Sequence, residues 1–232
     1  MEVPAVTAVG MREIDRIAVE ETGPNLFQMM ENAGRNLALQ TLDILGADWR
    51  ERHTLVLAGA GGNGGGGICA ARHLANRGAN VTLVLAAPLV AGGVPAFQHH
   101  VFTSTSGREI PADDVHGERP DLLIDALIGY GLSAAPEREV AALITWANGS
   151  GVPILSLDVP SGVDATTGET PGVAIRPDCT ITLALPKTGL RSENAGHLVL
   201  ADIGIPSEAI RRAGIAVVSP FGDRFRIPLT IA

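Results

Sequence analysis

The chain has 232 residues, 46% apolar and only 18% charged, which excludes intrinsic disorder and supplies enough apolar mass for a core. Its net charge of −8 comes with no basic cluster, and aromatics make up 3%, so nucleic acid is not an expected partner. Cys69 and Cys179 form neither a disulfide framework nor a metal spacing, no leader pattern opens the sequence, and prolines and glycines break its most apolar stretch, residues 81–97, so a soluble cytoplasmic protein without a membrane span is expected.

The segment MREIDRIAVEE predicts a helix with Met11, Ile14 and Ile17 or Ala18 on one face. Thr22-Gly23-Pro24-Asn25 breaks it. A second helix is expected over 26–45, with Leu26, Met29, Met30, Ala33, Leu37 and Ile44 on its apolar side and Thr41 interrupting the stripe. Both helices precede any strand, so residues 1–50 read as a helical arm or cover. A strand at 54–57 enters a glycine-rich loop, 59–67, and a helix from Ile68 is closed by Gly78. A strand follows at 80–86.

Residues 78–107 contain no Asp, Glu, Lys or Arg, which reads either as a tightly packed short helix or as a subunit interface. Further strands are expected at 121–127, 152–158, 179–185 and 197–203. A helix is expected at 137–148, and another at 208–213 with Ser207 as its cap. Uniformly apolar strands alternating with helices give an α/β class with a doubly wound, mainly parallel sheet. One domain of 1–232 is expected, with a core at about 51–206 and a tail at 207–232.

In such a sheet, ligands bind beyond the carboxyl ends of the strands where the strand order reverses. Three informative segments lie at strand ends: the glycine loop 59–67, residues 125–135 and residues 158–168. The glycine loop can aim backbone N–H groups at a phosphate. Gly59, Gly61 and Gly64 match a dinucleotide fingerprint formally, but no acidic residue ends the next strand to hold a ribose. No Gly-Lys-Ser/Thr follows, which excludes a Walker loop. Asp125 and Asp158 end apolar strands, where a carboxylate serves a cation, a ribose hydroxyl, a proton or the loop's own N–H groups. Ser161 adds an oxygen ligand. Lys187 is the single lysine among 17 basic residues, which points to a need for a compact charge or a titratable amine.

The ordered segments MREID, MMENAGR, LAGAGGNGGGG, AARHLANRG, IDALIGYGLS, LDVPSGVDATTG, LPKTGL and ADIGIP resemble the NAD(P)H-hydrate epimerase family, the YjeF N-terminal domain. The resemblance runs from about residue 7 to 206. It implies a Rossmann-like three-layer αβα fold, often dimeric. It implies interconversion of the R and S forms of NADHX and NADPHX, whose hydroxyl sits on C6 of the reduced nicotinamide ring. A dehydratase that restores the cofactor is expected as a separate chain or is missing, and a homodimer is expected.

Carried over by position, the substrate would touch Gly62, Asn63, Gly64, Gly65 and Gly66, then Gly129, Tyr130, Gly131, Leu132, Ser133, Ala134 and Ala135, and Asp158. One potassium ion per subunit would be held by Asn63, Asp125 and Ser161. Asp158 and, second to it, Lys187 are the catalytic candidates. The family commonly carries Asn and Asp where this chain has Gly62 and Gly66, and Thr and Arg where it has Tyr130 and Ala134. A second reading is therefore a catalytically weakened nucleotide-binding or protein-interaction module of the same fold.

Overall fold

The computed structural model describes residues 3–230. Eight strands form one sheet in the order β3-β2-β1-β4-β5-β6-β7-β8. These are β1 (His53–Ala58), β2 (Asn80–Leu85), β3 (Arg108–Ile110), β4 (Leu122–Ala126), β5 (Ile154–Leu157), β6 (Cys179–Leu183), β7 (His197–Ala201) and β8 (Arg226–Leu229). Every neighbouring pair is parallel except β7 with β8. The order reverses between β1 and β4, the place where a doubly wound sheet opens its ligand crevice.

Side chains alternate across the sheet, as a period of two requires. Val56, Ala58, Ile124, Ala126, Leu155 and Leu157 join the core under α2 (Leu26–Leu45) and α3 (Gly62–Ala75). Leu55, Leu57, Leu123 and Ile154 face the opposite way, onto Leu143, Ile144 and Ala147 of α5 (Arg138–Gly149). Helix α1 (Ala8–Ile17) buries Met11, Ile14 and Ile17, and is capped by the Thr7 hydroxyl accepting from Gly10 N–H. Helix α2 starts with a capping box between Asn25 and Gln28. It packs directly on α3 and belongs to the main core, a cover rather than a free arm.

Several sequence expectations change. Thr41 is buried within the apolar stripe, donating to the Leu37 carbonyl at 2.9 Å, whereas Leu26 and Ile44 are exposed. The glycine segment is helical from Gly62 onward, and only 59–61 is a turn. Ser207 is not a cap: α7 (Ser207–Arg212) begins after Pro206 with no side-chain cap. Residues 207–232, expected as a tail, supply the expected helix as α7 and also the edge strand β8. The uncharged 78–107 stretch contains a packed helix, α4 (Val94–Phe102), preceded by α4's approach loop with Val90 exposed. The short α6 (Ser192–Ala195) completes the helices.

A polar clamp ties α2, α3 and α4 together. Arg72 Nη2 lies 2.5 Å from Glu31, 3.3 Å from Cys69 Sγ and 3.2 Å from His73 Nε2, and Arg72 Nε donates to Gln98 at 3.1 Å. The Glu31, Cys69 and His73 ligand atoms lie within 4.8 Å of one another, but the guanidinium already fills the space a metal would take. Burial pushes the Glu31 carboxyl up, and the Arg72 and His73 hydrogen bonds outweigh this and bring it to about 2. Burial pushes the Cys69 thiol up to about 12, so it is an inert neutral group. Cys69 and Cys179 are both free and buried.

Candidate active site

The floor of the crevice is set by backbone contact. A Cβ on Gly59 would lie 2.0 Å from the Leu127 carbonyl oxygen, and one on Gly64 would lie 1.7 Å from the Gly59 oxygen. A Cβ on Gly67 would meet Ala126 Cβ at 2.4 Å. These glycines let α3 press onto the ends of β1 and β4, which a side chain would prevent. The N-terminus of α3 has no side-chain cap, so its first N–H groups are left for a ligand.

Strands β5 and β6 end in the same device. Val159 N donates to the Leu157 carbonyl at 2.9 Å across Asp158, whose φ is +69°. Leu185 N donates to the Leu183 carbonyl at 2.7 Å across Ala184, whose φ is +61°. A hydrogen bond spanning one residue of positive φ is a γ-turn of the rare, strained hand. Such strain concentrates at functional sites and persists when neighbours hold it.

Asp158 is held by Tyr130 N–H at 3.3 Å, Leu183 N–H at 3.2 Å and the Lys187 ammonium. Lys187 is 2% exposed and also donates to the Leu183 carbonyl at 2.8 Å and Thr182 Oγ at 3.3 Å. It sits behind Asp158, outside the cleft lining, and meets the cleft only through that carboxylate.

Beneath the loop 127–131 lies Asp125, fully buried, with no basic side chain paired to it among the described residues. It accepts from Ser156 Oγ at 2.8 Å, Ser161 N at 2.9 Å, Ser161 Oγ at 2.5 Å and Leu127 N at 3.3 Å. Burial pushes its carboxyl up, against the pull of the Ser161 and Ser156 hydrogen bonds. Ser161 Oγ also accepts from Ile128 N–H at 2.8 Å. Asn63 crosses the same loop one residue further on, against Gly129, and its Nδ2 is buried without a partner.

A cleft of about 430 Å³ opens between these parts. Of the residues expected from sequence, Gly62, Asn63, Gly129, Tyr130, Gly131 and Asp158 line it. Gly64, Gly65 and Gly66 are buried inside α3 and face strand ends, α4 and Leu157 instead. Leu132, Ser133, Ala134 and Ala135 lie further along the loop, outside the lining. Sequence reading missed Arg12, Asp15, Leu26 and Met30 of the N-terminal helices, which also line the cleft. Asp15 sits one residue from the buried Ile14 on α1, and its place in the MREID segment, like that of Met30 in MMENAGR, was the signal available. The Tyr130 hydroxyl donates to Asp15 Oδ2 at 2.5 Å. Burial pushes both groups up, Asp15 despite this hydrogen bond.

Residues 26–189 match the family described as YjeF-related protein N-terminus, YjeF_N. This chain belongs to that family. The NAD(P)H-hydrate epimerase of Dehalogenimonas lykanthroporepellens is 51% identical over 227 residues, covering 97% of this chain and 92% of that protein. The bifunctional NAD(P)H-hydrate repair enzyme Nnr of Salinibacter ruber is 37% identical over 235 residues, covering 90% of this chain but only 42% of that protein. The crystal structure of yeast ynu0 matches with a TM-score of 0.85 at 21% identity, over 98% of this chain and 100% of that one, which shows the fold.

The two glycine-segment positions at which the resemblance expects Asn and Asp have opposite surroundings. Nothing lies within 4 Å of a Cβ placed on Gly62. A Cβ on Gly66 would lie 2.8 Å from Leu157 Cδ2, with Ala33 and Met30 next nearest, so this position is apolar and closed.

Proposed function

We propose that this protein is an NAD(P)H-hydrate epimerase, interconverting the R and S forms of NADHX and NADPHX. The observation that carries the reading is Asp158: a strained, buried carboxylate, charge-paired from behind by Lys187, and open in front to a cleft whose far edge is an uncapped helix N-terminus. The 51% identity to a named epimerase over nearly the whole of both chains supports the same substrate class.

The chemistry needs little. The ring nitrogen's lone pair helps expel the C6 hydroxyl as water, giving a planar iminium, and water re-enters from the other face. An acid/base group at C6 and a fixed negative charge beside the cation are the requirements. Asp158 meets both. Lys187 keeps it oriented. The first N–H groups of α3 suit the pyrophosphate. The groups this scheme uses are intact despite Gly62 and Gly66, which favours an active enzyme over a binding module. The reading includes a cytoplasmic homodimer working beside a separate dehydratase; among the described residues no helix is long and apolar enough to cross a membrane.

The reading includes a potassium ion, for which Asn63, Asp125 and Ser161 would supply the oxygen donors. Turning the Asn63 amide puts its oxygen at the buried, unpartnered position, and an oxygen without a donor there suits a cation. The Asp125 carboxylate and Ser161 hydroxyl complete an all-oxygen set, the preference of hard cations. When bound, the ion supplies fixed positive charge under the loop that carries Gly129 and Tyr130.

The deciding experiment supplies R-NADHX with excess S-specific dehydratase and follows NADH formation. Acceleration by the protein, abolished in Asp158→Asn, is expected. A folded protein that binds the dinucleotide without acceleration would leave the weakened binding module as the function.

A further inference from the structure

Epimerisation through a planar intermediate has a symmetry requirement. The oxygen that leaves one face must be protonated, and the oxygen that arrives at the other must be deprotonated. Asp158 alone offers one carboxylate on one wall. The cleft holds a second, Asp15, carried by α1. It accepts one hydrogen bond, from the Tyr130 hydroxyl to Oδ2 at 2.5 Å, and Oδ1 has no donor among the described residues.

The charged and titratable groups facing Asp15 are few. Arg12 comes from its own helix, Tyr130 from the loop after β4, Asp158 from the end of β5 and Lys187 from beyond β6. Lys187 Nζ is 6.0 Å from the centre of the Tyr130 ring and is already committed to Asp158, Leu183 and Thr182. The Tyr130 backbone N–H binds Asp158 while its side chain binds Asp15, so one residue ties the two carboxylates together. Their environments differ: Asp158 has an ammonium and two N–H donors, whereas Asp15 has a single phenol and a half-buried setting. Two carboxyl groups in one site with unlike surroundings divide into an acid and a base.

We propose that Asp15 is the second acid/base residue of this site, sharing one proton with Asp158, and that Tyr130 is its positioning residue. The inference rests on the epimerase reading above. For one epimer, Asp15 donates its proton to the C6 hydroxyl oxygen. The C6–O bond breaks with its electron pair on the departing water, and the ring nitrogen's lone pair becomes the second C6–N bond. An entering water forms the new C6–O bond on the other face and gives its extra proton to Asp158. One water leaves and one enters, and solvent returns the proton from Asp158 to Asp15. For the other epimer the two carboxyls exchange roles. Burial, which raises Asp15 against the opposing pull of Tyr130, helps it hold that proton.

The test uses the coupled assay over a pH series, with dinucleotide binding measured in parallel. Asp15→Asn is expected to lower kcat by about 100-fold or more while KM stays within about 3-fold, and to remove the alkaline limb of the profile. Tyr130→Phe removes a hydrogen bond that favours the ionised carboxyl, so its alkaline limb is expected to move to higher pH with kcat retained within about 10-fold. A merely structural role for Asp15 would lower activity at every pH without altering the limb. Asp15→Asn with kcat within about 3-fold of the parent, or with the limb unmoved, overturns the proposal. An inactive parent protein that is folded and binds the dinucleotide overturns the epimerase reading itself, and this inference with it.

Discussion

Replacing Lys187 by methionine tests whether the buried pair is what holds the strained end of β5. Methionine keeps the length and most of the volume of the lysine stem, so the packing loss is small. The charge loss is not. Asp158 is 3% exposed and would keep only its two backbone donors, at 3.2 and 3.3 Å, against a full negative charge. Breaking a buried ion pair on one side costs about 3–5 kcal/mol. The carbonyl of Leu183, 2.8 Å from Nζ, loses a partner as well, which adds about 1 kcal/mol at most. Lys187→Met is therefore expected to cost about 4 kcal/mol, a large share of the 5–15 kcal/mol typical of a domain. Adding Asp158→Asn removes the stranded charge, and asparagine tolerates the positive φ of 69°. The double variant is expected to recover at least about 2 kcal/mol of that loss. Urea unfolding at neutral pH, followed by circular dichroism for the parent, both single variants and the double variant, gives the coupling energy directly. A Lys187→Met cost below about 1 kcal/mol, or strict additivity in the cycle, would refute the argument.

Gly64→Ala drives a Cβ to 1.7 Å from a backbone oxygen that cannot move aside, so a loss of at least about 3 kcal/mol in urea unfolding is expected, together with loss of dinucleotide binding. Gly62→Asn meets nothing within 4 Å, and should leave the urea midpoint unchanged or raise stability by up to about 1 kcal/mol through a less flexible unfolded chain. The Glu31 clamp carries a pH signature. Its folded carboxyl value, about 2, lies below the ordinary 4.5, so its contribution is complete above about pH 5 and disappears as pH falls toward 2. Because Glu31 is partly open to solvent, the stability gap between parent and Glu31→Gln is expected to be about 1 kcal/mol at pH 6.5, closing near pH 2.5. If potassium occupies the Asn63–Asp125–Ser161 set, replacing KCl by choline chloride lowers the melting temperature of the parent and leaves Asp125→Asn unaffected.

The central sheet was legible because β1, β4, β5, β6 and β7 are apolar runs bounded by turn residues. The two edges were not. Strand β3 is three residues, two of them exposed and charged, and β8 contains Pro228, which only an edge strand tolerates. The start of α3 was misread as loop because glycine argues against helix locally, while the close approach of Gly59, Gly64 and Gly67 to their neighbours is a tertiary matter. Asp125 and Asp158 could be picked out because a polar residue ending an apolar strand is conspicuous, and Ser161 because it adds an oxygen three residues past Asp158. Lys187 stood out through composition alone. Arg12 and Asp15 look like ordinary charges on an amphipathic helix, and only the docking of α1 over the cleft gives them a role.

The glycines of α3 also bear on how the molecule assembles. Five of its first six residues are glycine, each costing about 1 kcal/mol of helix propensity relative to alanine. A segment so composed does not become helical by itself at an early stage, since even good helix formers of this length are marginal alone. It acquires its turns by settling onto the paired ends of β1 and β4. The ligand-facing amides of α3 are thus a late product of folding, and their hydrogen-exchange protection should rise and fall with that of the β1–β4 ladder. Any weakening of the central strands will be felt at the start of α3 before the rest of the fold gives way.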